Sequence, residues 1–359
     1  MRGVEALEGR WLLTVGVATF EGDVVFSPTS RLEIELAGTQ PGTLYDVVNV
    51  QGRVTLGGTL QVVLLGGFVP HAGDSFRVLN FGSRSEDFST YLGLSLPNGL
   101  QLRPVFTDAS LTLTALPPAQ VVGRHVFYNN SAFDGHDPAA GTADDAAVAP
   151  DKQALLPGQA ASFSNVTGYT GGINGVMVDV LNLGGVASAE DFLLRSGDGT
   201  AAGWAAAPAP ASVTVRGGAG ANGSDRVTLT WPDGAVRNRW LEVTFRPTLR
   251  NGLPAADVFS FGNLVGETGN APGALRVDAA DVVATRAALP AAGVTLSSPF
   301  DHDRDGRVNA RDLAAVRANF GRSLASPAAA APLSARSGVS RDRPASRAAW
   351  DKTLLADTQ

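Results

Sequence analysis

DHDRDGRVNARD, residues Asp301–Asp312, is the most informative stretch of the chain. Carboxylates fall at its first, third, fifth and twelfth positions: Asp301, Asp303, Asp305 and Asp312. Gly306 stands sixth, where the backbone must turn sharply and a residue without Cβ turns most cheaply. Arg307, seventh, can offer its main-chain carbonyl, and Asn309, ninth, can ligate through water. Alternate residues of a wrapped loop would then converge on one centre with oxygen donors alone. Ca2+ is a hard cation that takes roughly six to eight oxygens, and this is the ligand spacing of a calcium loop. A polar turn that is merely acidic would not need four carboxylates in register with a glycine.

Behind the loop, RDLAAVRANF (Arg311–Phe320) sets Leu313, Val316 and Phe320 at helical spacing. A short helix with one apolar face is predicted there, ended by Gly321. Ser297, Ser298 and Pro299 precede the loop, so no entering helix is expected. A loop followed by a single helix is half an EF-hand, with Asp312 where that motif usually has a bidentate glutamate.

The unit has an upstream partner. VDAADVVATRAAL (Val277–Leu289) aligns with VNARDLAAVRANF (Val308–Phe320) at constant offset. Val277, Ala279, Asp281, Ala284, Arg286 and Ala287 recur as Val308, Ala310, Asp312, Ala315, Arg317 and Ala318. This repeated loop–helix unit, over about Phe261 to Arg322, resembles the type I dockerin family. The resemblance implies a small α-helical domain that binds Ca2+ and docks a cohesin-type protein module through its helices. In the first repeat Asn270 takes the first ligand position, whereas Pro272, Ala274 and Leu275 replace the next carboxylates and the glycine. Asp278 and Asp281 match the late positions, and Glu267 can contribute only from a longer loop. Calcium at this first site is an open question on sequence. So is whether the pair docks a partner or only clamps the C-terminal end.

The chain has 359 residues, a formal net charge of −6 and no cysteine. The length predicts two or three domains, disulfides and thiolate chemistry are excluded, and no basic footprint for nucleic acid is present. No apolar run reaches the length of a membrane span. WLLTVGVATF (Trp11–Phe20) follows Arg2 and Arg10, but Glu5 and Glu8 spoil a basic leader, so it reads as a strand. We expect a secreted or cell-surface protein, and the C-terminal part of a longer polypeptide or a misplaced start. Bound calcium would supply the staple that disulfides supply elsewhere.

The predicted fold is mainly β: a β-solenoid or sandwich end segment (1–116), an antiparallel β-sandwich (123–260), the dockerin-like domain (261–322) and a flexible tail (323–359). In the first segment RLEIEL (31–36) alternates cleanly, followed by strands at 47–56, 59–65, 75–81 and 110–116 with glycine turns between them. Thr43 to Phe81 resembles the closing segment of β-helical passengers in autotransporter-type bacterial surface proteins, which implies a stacked, non-catalytic stalk. LPPAQVV (116–122) reads as a linker. In the sandwich, strands are predicted at 176–183, 212–217, 225–231 and 239–247, with Trp231, Trp240 and Phe245 near the core. From His125 through the calcium repeats the chain resembles a C-terminal cassette of large secreted planctomycete proteins, a likeness that implies no activity. The tail from Ser323 to Arg347 is rich in Ala, Ser, Pro and Arg and should not fold alone, although Ala348 to Ala356 could form a short helix.

No catalytic set stands out. The four histidines, His71, His125, His136 and His302, fit neither a catalytic triad nor a zinc site. GGAGANGSD (217–225) lacks a following Lys-Ser/Thr and reads as a hairpin connection. FDGHDPAAGTADDAAVAPD (133–151) carries Asp134, His136, Asp137, Asp144, Asp145 and Asp151, either a solvated acidic loop or a further cation site, for which Ca2+ fits best. Tyr128, Tyr169 and Trp204 could stack on a sugar but more often such aromatics are core. Two functions are therefore expected: a non-catalytic extracellular anchoring protein, or a polysaccharide-binding or -degrading accessory protein tethered by the same calcium unit.

Overall fold

The computed structural model describes residues 4–7, 9–11, 15–183, 187–269 and 275–327. It is mainly β. The first-repeat position Asn270, with Pro272 and Ala274, and the tail beyond 327 lie outside the described residues.

The first unit holds β1 (Val4–Leu7), β2 (Arg10–Trp11), β3 (Val17–Phe20), β4 (Asp23–Phe26), β5 (Arg31–Leu36), β6 (Val47–Thr55), β7 (Thr59–Leu64), β8 (Ser75–Ser85), β9 (Thr90–Leu92), β10 (Gln101–Phe106) and β11 (Ser110–Leu116). From β4 to β9 the chain alternates between two sheets. One carries β1-β4-β6-β8 side by side, with β3 also on β6, and the other carries β2-β5-β7-β9. Each of these pairings is parallel, so each turn stacks on the one before it, with one register shift between β6 and β8 at Val50/Arg53. Like stacks on like: Leu32 faces Leu60, Ile34 faces Val62 and Leu36 faces Leu64. Asn80 Nδ2 donates to Asn49 Oδ1 at 2.7 Å in the neighbouring sheet. The inward residues Val24, Phe26, Ile34, Leu36, Leu60 and Phe76 share one core. The last two strands reverse direction, as β8, β11 and β10 pair antiparallel. Pro104 sits in the edge strand β10, where a missing N–H costs no ladder bond and blunts the edge.

The second unit holds β12 (Gln120–Val126), β13 (Val166–Thr167), β14 (Gly175–Leu181), β15 (Phe192–Gly197), β16 (Ala205–Ala206), β17 (Ser212–Arg216), β18 (Asp225–Thr230), β19 (Trp240–Phe245) and β20 (Asp257–Asn263). One sheet runs β12-β14-β18-β17 and the other β13-β20-β19-β15-β16. Every pairing is antiparallel except β13 on β20, which is parallel. Val176, Val178, Val227, Leu229, Val243, Phe245 and Phe261 fill the space between the sheets, and Phe192 stacks on Phe245 with ring centroids 4.5 Å apart. Trp231, Trp240 and Phe245 are all buried, and residues 217–224 do join β17 to β18.

Two boundaries move. The 116–122 linker shrinks to Pro117–Ala119, because β12 already begins at Gln120 and Ala119 is buried. Arg103, 1% exposed, reaches across this junction and donates to the carbonyls of Pro117 and Asn182. The 260/261 position falls inside β20, whose hydrogen bonds to β19 and β13 continue to Asn263.

The last elements are α1 (Ala279–Ala287), β21 (Ala291–Ala292), β22 (Arg307–Val308) and α2 (Ala310–Ala318). The absence of a helix just before Asp301 agrees with the sequence. Val277 and Val316 enter one apolar cluster with Trp240, Val166, Leu264 and Leu324, so the helices share a core with the sandwich. Leu313 and Val316 are buried as the periodicity predicts, but Phe320 is 59% exposed. The helix stops at Ala318, and the turn beyond it carries Phe320 off the apolar face. Residues 323–325 are also tied down rather than free. Leu324 is buried, its N–H donates to Leu275, and Trp240 Nε1 donates to Ala325 at 2.8 Å.

The strand β14 is covered on both faces, since Met177 packs outward against Phe127 and Ala147. On that outer face Asp179, fully buried, accepts from Arg226 at 2.7 and 2.8 Å, from His125 at 3.1 Å and from the Ala221 N–H. Burial opposes its ionisation, but the bonds from Arg226, His125 and Ala221 outweigh burial and hold the carboxyl below its usual range. A depressed carboxyl contributes stability above the unfolded value near 4 and loses it as the pH falls further. Asp179→Asn is therefore expected to cost about 3 kcal/mol near neutral pH. The gap from the parent should narrow as unfolding by urea is repeated from neutral pH down to pH 3, and a gap independent of pH would contradict this account.

Candidate metal centre

Each helix of the pair starts in the same way. Asn309 caps α2 by accepting from the Arg311 N–H at 2.8 Å, while Asp312 Oδ2 reaches back to the Asn309 N–H at 2.8 Å. Asp278 and Asp281 repeat this capping box on α1 at 2.8 and 2.7 Å. The two late carboxylates thus first serve as caps.

Before α2 the loop closes on Asp301. Its Oδ1 accepts from the Asp305 N–H at 3.2 Å and its Oδ2 from the Gly306 N–H at 3.0 Å. Gly306 has φ of 78°, the left-handed conformation for which the glycine was expected. Asp305 accepts from the Arg307 N–H and from Asn309 Nδ2. Asp303 Oδ1 is buried with no hydrogen-bond partner. Asp301, Asp303 and Asp305 each offer an oxygen within 4.8 Å of the other two, the one such group among the described residues. At this separation each ionised pair repels by about 3 kcal/mol at an effective dielectric near 20. Burial pushes the Asp301 carboxyl up to about 6, with Asp312 and Asp303 adding to the shift and Arg304 opposing it. Burial also raises Asp303, reinforced by Asp312 and Asp305. Ionising Asp301 thus costs the metal-free fold stability as the pH rises through about 6, a cost that a cation among these oxygens would remove. The donors are oxygens alone, a set suited to Ca2+ or Mg2+ rather than to a softer metal.

Asp312 lies close enough to raise Asp301 but spends both oxygens on backbone N–H groups, those of His302 at 2.6 Å, Asp303 and Asn309. Asn309 is turned toward Asp305 through Nδ2 and keeps its own oxygen on the helix. Arg307 lies in β22, opposite Ala292.

The first repeat is built differently. Glu267 is buried, and its two oxygens accept from the Gly269 and Arg276 N–H groups at 2.8 and 2.7 Å. Asp281 Oδ1 accepts from both the N–H and the hydroxyl of Thr268. Burial, then repulsion from Asp281 and Asp278, pushes Glu267 up to about 7. Glu267, Asp278 and Asp281 do not gather into a cluster of three carboxylate oxygens like that of the second loop.

The even-numbered residues of the calcium-type loop, passed over at the sequence level, hold it to the sandwich. His302 is almost fully buried, and its Nδ1 lies 3.2 Å from the Gly168 carbonyl. Its main-chain carbonyl accepts from Thr170 at 2.7 Å. Burial drives the ring's pKa down to about 4, so the ring is neutral at pH 7 and donates from Nδ1. The Arg304 guanidinium lies over the Tyr128 ring at 4.3 Å and donates to its hydroxyl at 2.9 Å and to the Ser298 carbonyl, while the main-chain carbonyl of Arg304 accepts from the Ala132 N–H. Odd residues face the centre of the loop and even ones the sandwich, an alternation present in the sequence but carrying no motif.

Tyr128, Tyr169 and Trp204 are 0, 3 and 7% exposed, so they form no sugar-stacking platform. The 133–151 segment is only partly solvated, because Asp134 and Asp144 are buried, while Asp145 pairs with Arg216 and Arg226. No helix among the described residues is long and apolar enough to cross a membrane. No family model, curated protein or solved structure matches the chain.

The seating of the loop is open to measurement. A double-mutant cycle of Arg304→Ala and Tyr128→Phe, read by urea unfolding, is expected to give a coupling of about 1–3 kcal/mol. A coupling near zero would mean that Arg304 does not anchor the loop.

Proposed function

We propose that this chain is a non-catalytic extracellular anchoring protein whose loop Asp301–Asp312 binds Ca2+ within a dockerin-like pair of repeats. The observation that carries this reading is the gathering of Asp301, Asp303 and Asp305 within 4.8 Å, with a buried Asp303 oxygen left without a partner. An uncompensated cluster of this kind is costly, and a divalent cation offsets the cost. Ca2+ is the candidate because the donors are oxygens on a flexible loop. Among the described residues of the first repeat, Glu267 and Asp281 accept from neighbouring N–H groups, which supports a structural role for them. The parallel, in-register turns of the first unit support a β-solenoid stalk ending in an antiparallel cap. Secretion or display at the cell surface fits a chain without cysteine that relies on a cation to brace its end. A cohesin-type module is the proposed partner, on a face that includes the exposed Val283 of α1 and Phe320 just past α2.

The calcium reading is tested on the full chain, because the helices share their core with the sandwich. Calorimetric titration with CaCl2 should show a binding event that Asp301→Ala with Asp303→Ala removes. Calcium at about a hundred times its dissociation constant should stabilise the parent by about 2.7 kcal/mol through this loop, and the double variant not at all through it. Unchanged heat in that variant would end the assignment. For the partner, Phe320→Asp should leave the calcium heat intact and abolish calcium-dependent retention on an immobilised cohesin-type module. Equal retention of parent and variant would remove that face from the proposal.

A further inference from the structure

The outer face of the stacked turns carries an open groove of about 630 Å3 over β6 and β8, lined by Asn49, Gln51, Arg77, Asn80 and Gly82. The strand pairings set these residues side by side. Asn49 lies opposite Thr19 on one side and Asn80 on the other, so one polar side chain recurs per turn along the stack. The register shift between Val50 and Arg53 bends β6 at this point. Gly82 keeps the floor open, since a Cβ there would come within 2.7 Å of the Gln51 carbonyl oxygen.

The groove presents hydrogen-bond donors. Asn80 Nδ2 donates to Asn49 Oδ1 at 2.7 Å, which fixes the amide pair and occupies the Asn49 oxygen. Asn49 Nδ2, the Gln51 amide and the Arg77 guanidinium have no hydrogen bond of their own among the described residues. Arg77 is exposed, lies opposite Thr112 and has no ion pair among those residues. Asp74, three residues before it, accepts instead from the His71 N–H at 2.8 Å. The apolar residues of the lining, Val50 and Phe81, are 2 and 5% exposed, so the groove lacks the anchor that a protein partner would bury. It also has no exposed ring to stack a base, and one guanidinium in a chain of net charge −6 is a poor match for a phosphate backbone. The ligand that suits these groups offers many oxygens to amide donors and a carboxylate to a planar guanidinium.

We propose that this groove binds an acidic polysaccharide, with Arg77 paired to a uronate-type carboxylate and Asn49 and Gln51 donating to hydroxyl or ring oxygens of the same polymer. The saccharide runs along the stacking axis. The row Thr19, Asn49 and Asn80 follows that axis at the strand spacing of roughly 4.8 Å, close to the length of one sugar unit in an extended chain. The site uses no residue of the Asp301–Asp312 loop. It would add attachment along the side of the stalk to the attachment proposed for the C-terminal repeats.

The probe is a hexamer of galacturonic acid, titrated calorimetrically into the full chain with EDTA present so that calcium cannot bridge the carboxylates. Binding is expected, and Arg77→Ala should weaken it roughly tenfold, the worth of one bidentate carboxylate contact. Gln51→Ala should weaken it by a smaller factor. Both side chains are exposed, so these variants should fold as the parent does. Arg237→Ala removes an exposed arginine of the sandwich and should bind like the parent. A parent that does not bind the hexamer would overturn the proposal, as would an Arg77→Ala chain that binds it equally well. Equal losses in Arg77→Ala and Arg237→Ala, or equal parent affinity for a neutral glucose hexamer or a single-stranded DNA hexamer, would do the same. Titration of Arg77→Ala with CaCl2 should match the parent, so the groove and the Asp301–Asp312 loop can fail independently.

Discussion

Like charges brought within 4.8 Å of one another set the terms for the C-terminal third of this molecule. Asp301, Asp303 and Asp305 converge because the loop turns at Gly306 and because the intervening residues, His302 and Arg304, are pinned to the sandwich. Relaxing the repulsion by opening the loop would pull His302 out of its buried place and Arg304 off Tyr128. The repulsion is therefore confined rather than relieved, and the cation proposed for the loop is the natural counterweight. What lies beneath follows from this. Tyr128 and Ala132 belong to the segment that lids β14, and Gly168 and Thr170 lead out of β13, so both sheets of the sandwich meet the loop.

The two repeats show how a duplicated unit can diverge while keeping its outline. Both helices begin with the same reciprocal cap, Asp278 with Asp281 and Asn309 with Asp312. Ahead of the cap, one copy gathers carboxylates and the other satisfies its acids with main-chain and hydroxyl donors, Glu267 with Gly269 and Arg276, and Asp281 with Thr268. Hydrogen bonds satisfy the described acids of the first repeat, where charge balance would have to serve in the second. Val277 and Val316, which occupy different positions of the repeat, then meet in one cluster with Trp240.

Much of this was legible in the chain before any coordinates. Strands such as Arg31–Leu36 and Asp225–Thr230 announce themselves by alternation, and the ligand spacing from Asp301 predicts the carboxylate cluster. The failures have physical causes. Gln101–Phe106 is a strand without a clear signal in the sequence, since Pro104 argues against one and only an edge position makes it acceptable. Alternation tells which side chains face inward but not whether neighbours run parallel, so the in-register stacking of β5, β7 and β9 could only be one of two options. A boundary at 260 looked reasonable because the repeat begins nearby, yet β20 continues through it. Phe320 fits the helical period but lies past the helix end. The burial of Asp134 and Asp144 follows from long-range covering of β14, which no local pattern encodes.

The burial of Trp240 has a mechanical corollary. Its indole N–H ends on the carbonyl of Ala325, and the ring itself packs beneath Leu324 and Val316. Tension drawn along the C-terminal end would therefore be delivered to the middle of the sandwich sheet, through β19 and its neighbour β20, rather than peeling a helix from the outside. From there Arg103, sunk between the two β units, would pass the strain to the stacked turns beyond. A chain arranged in this way resists unravelling at Leu324 and Ala325, because that segment is fastened to a fully buried tryptophan.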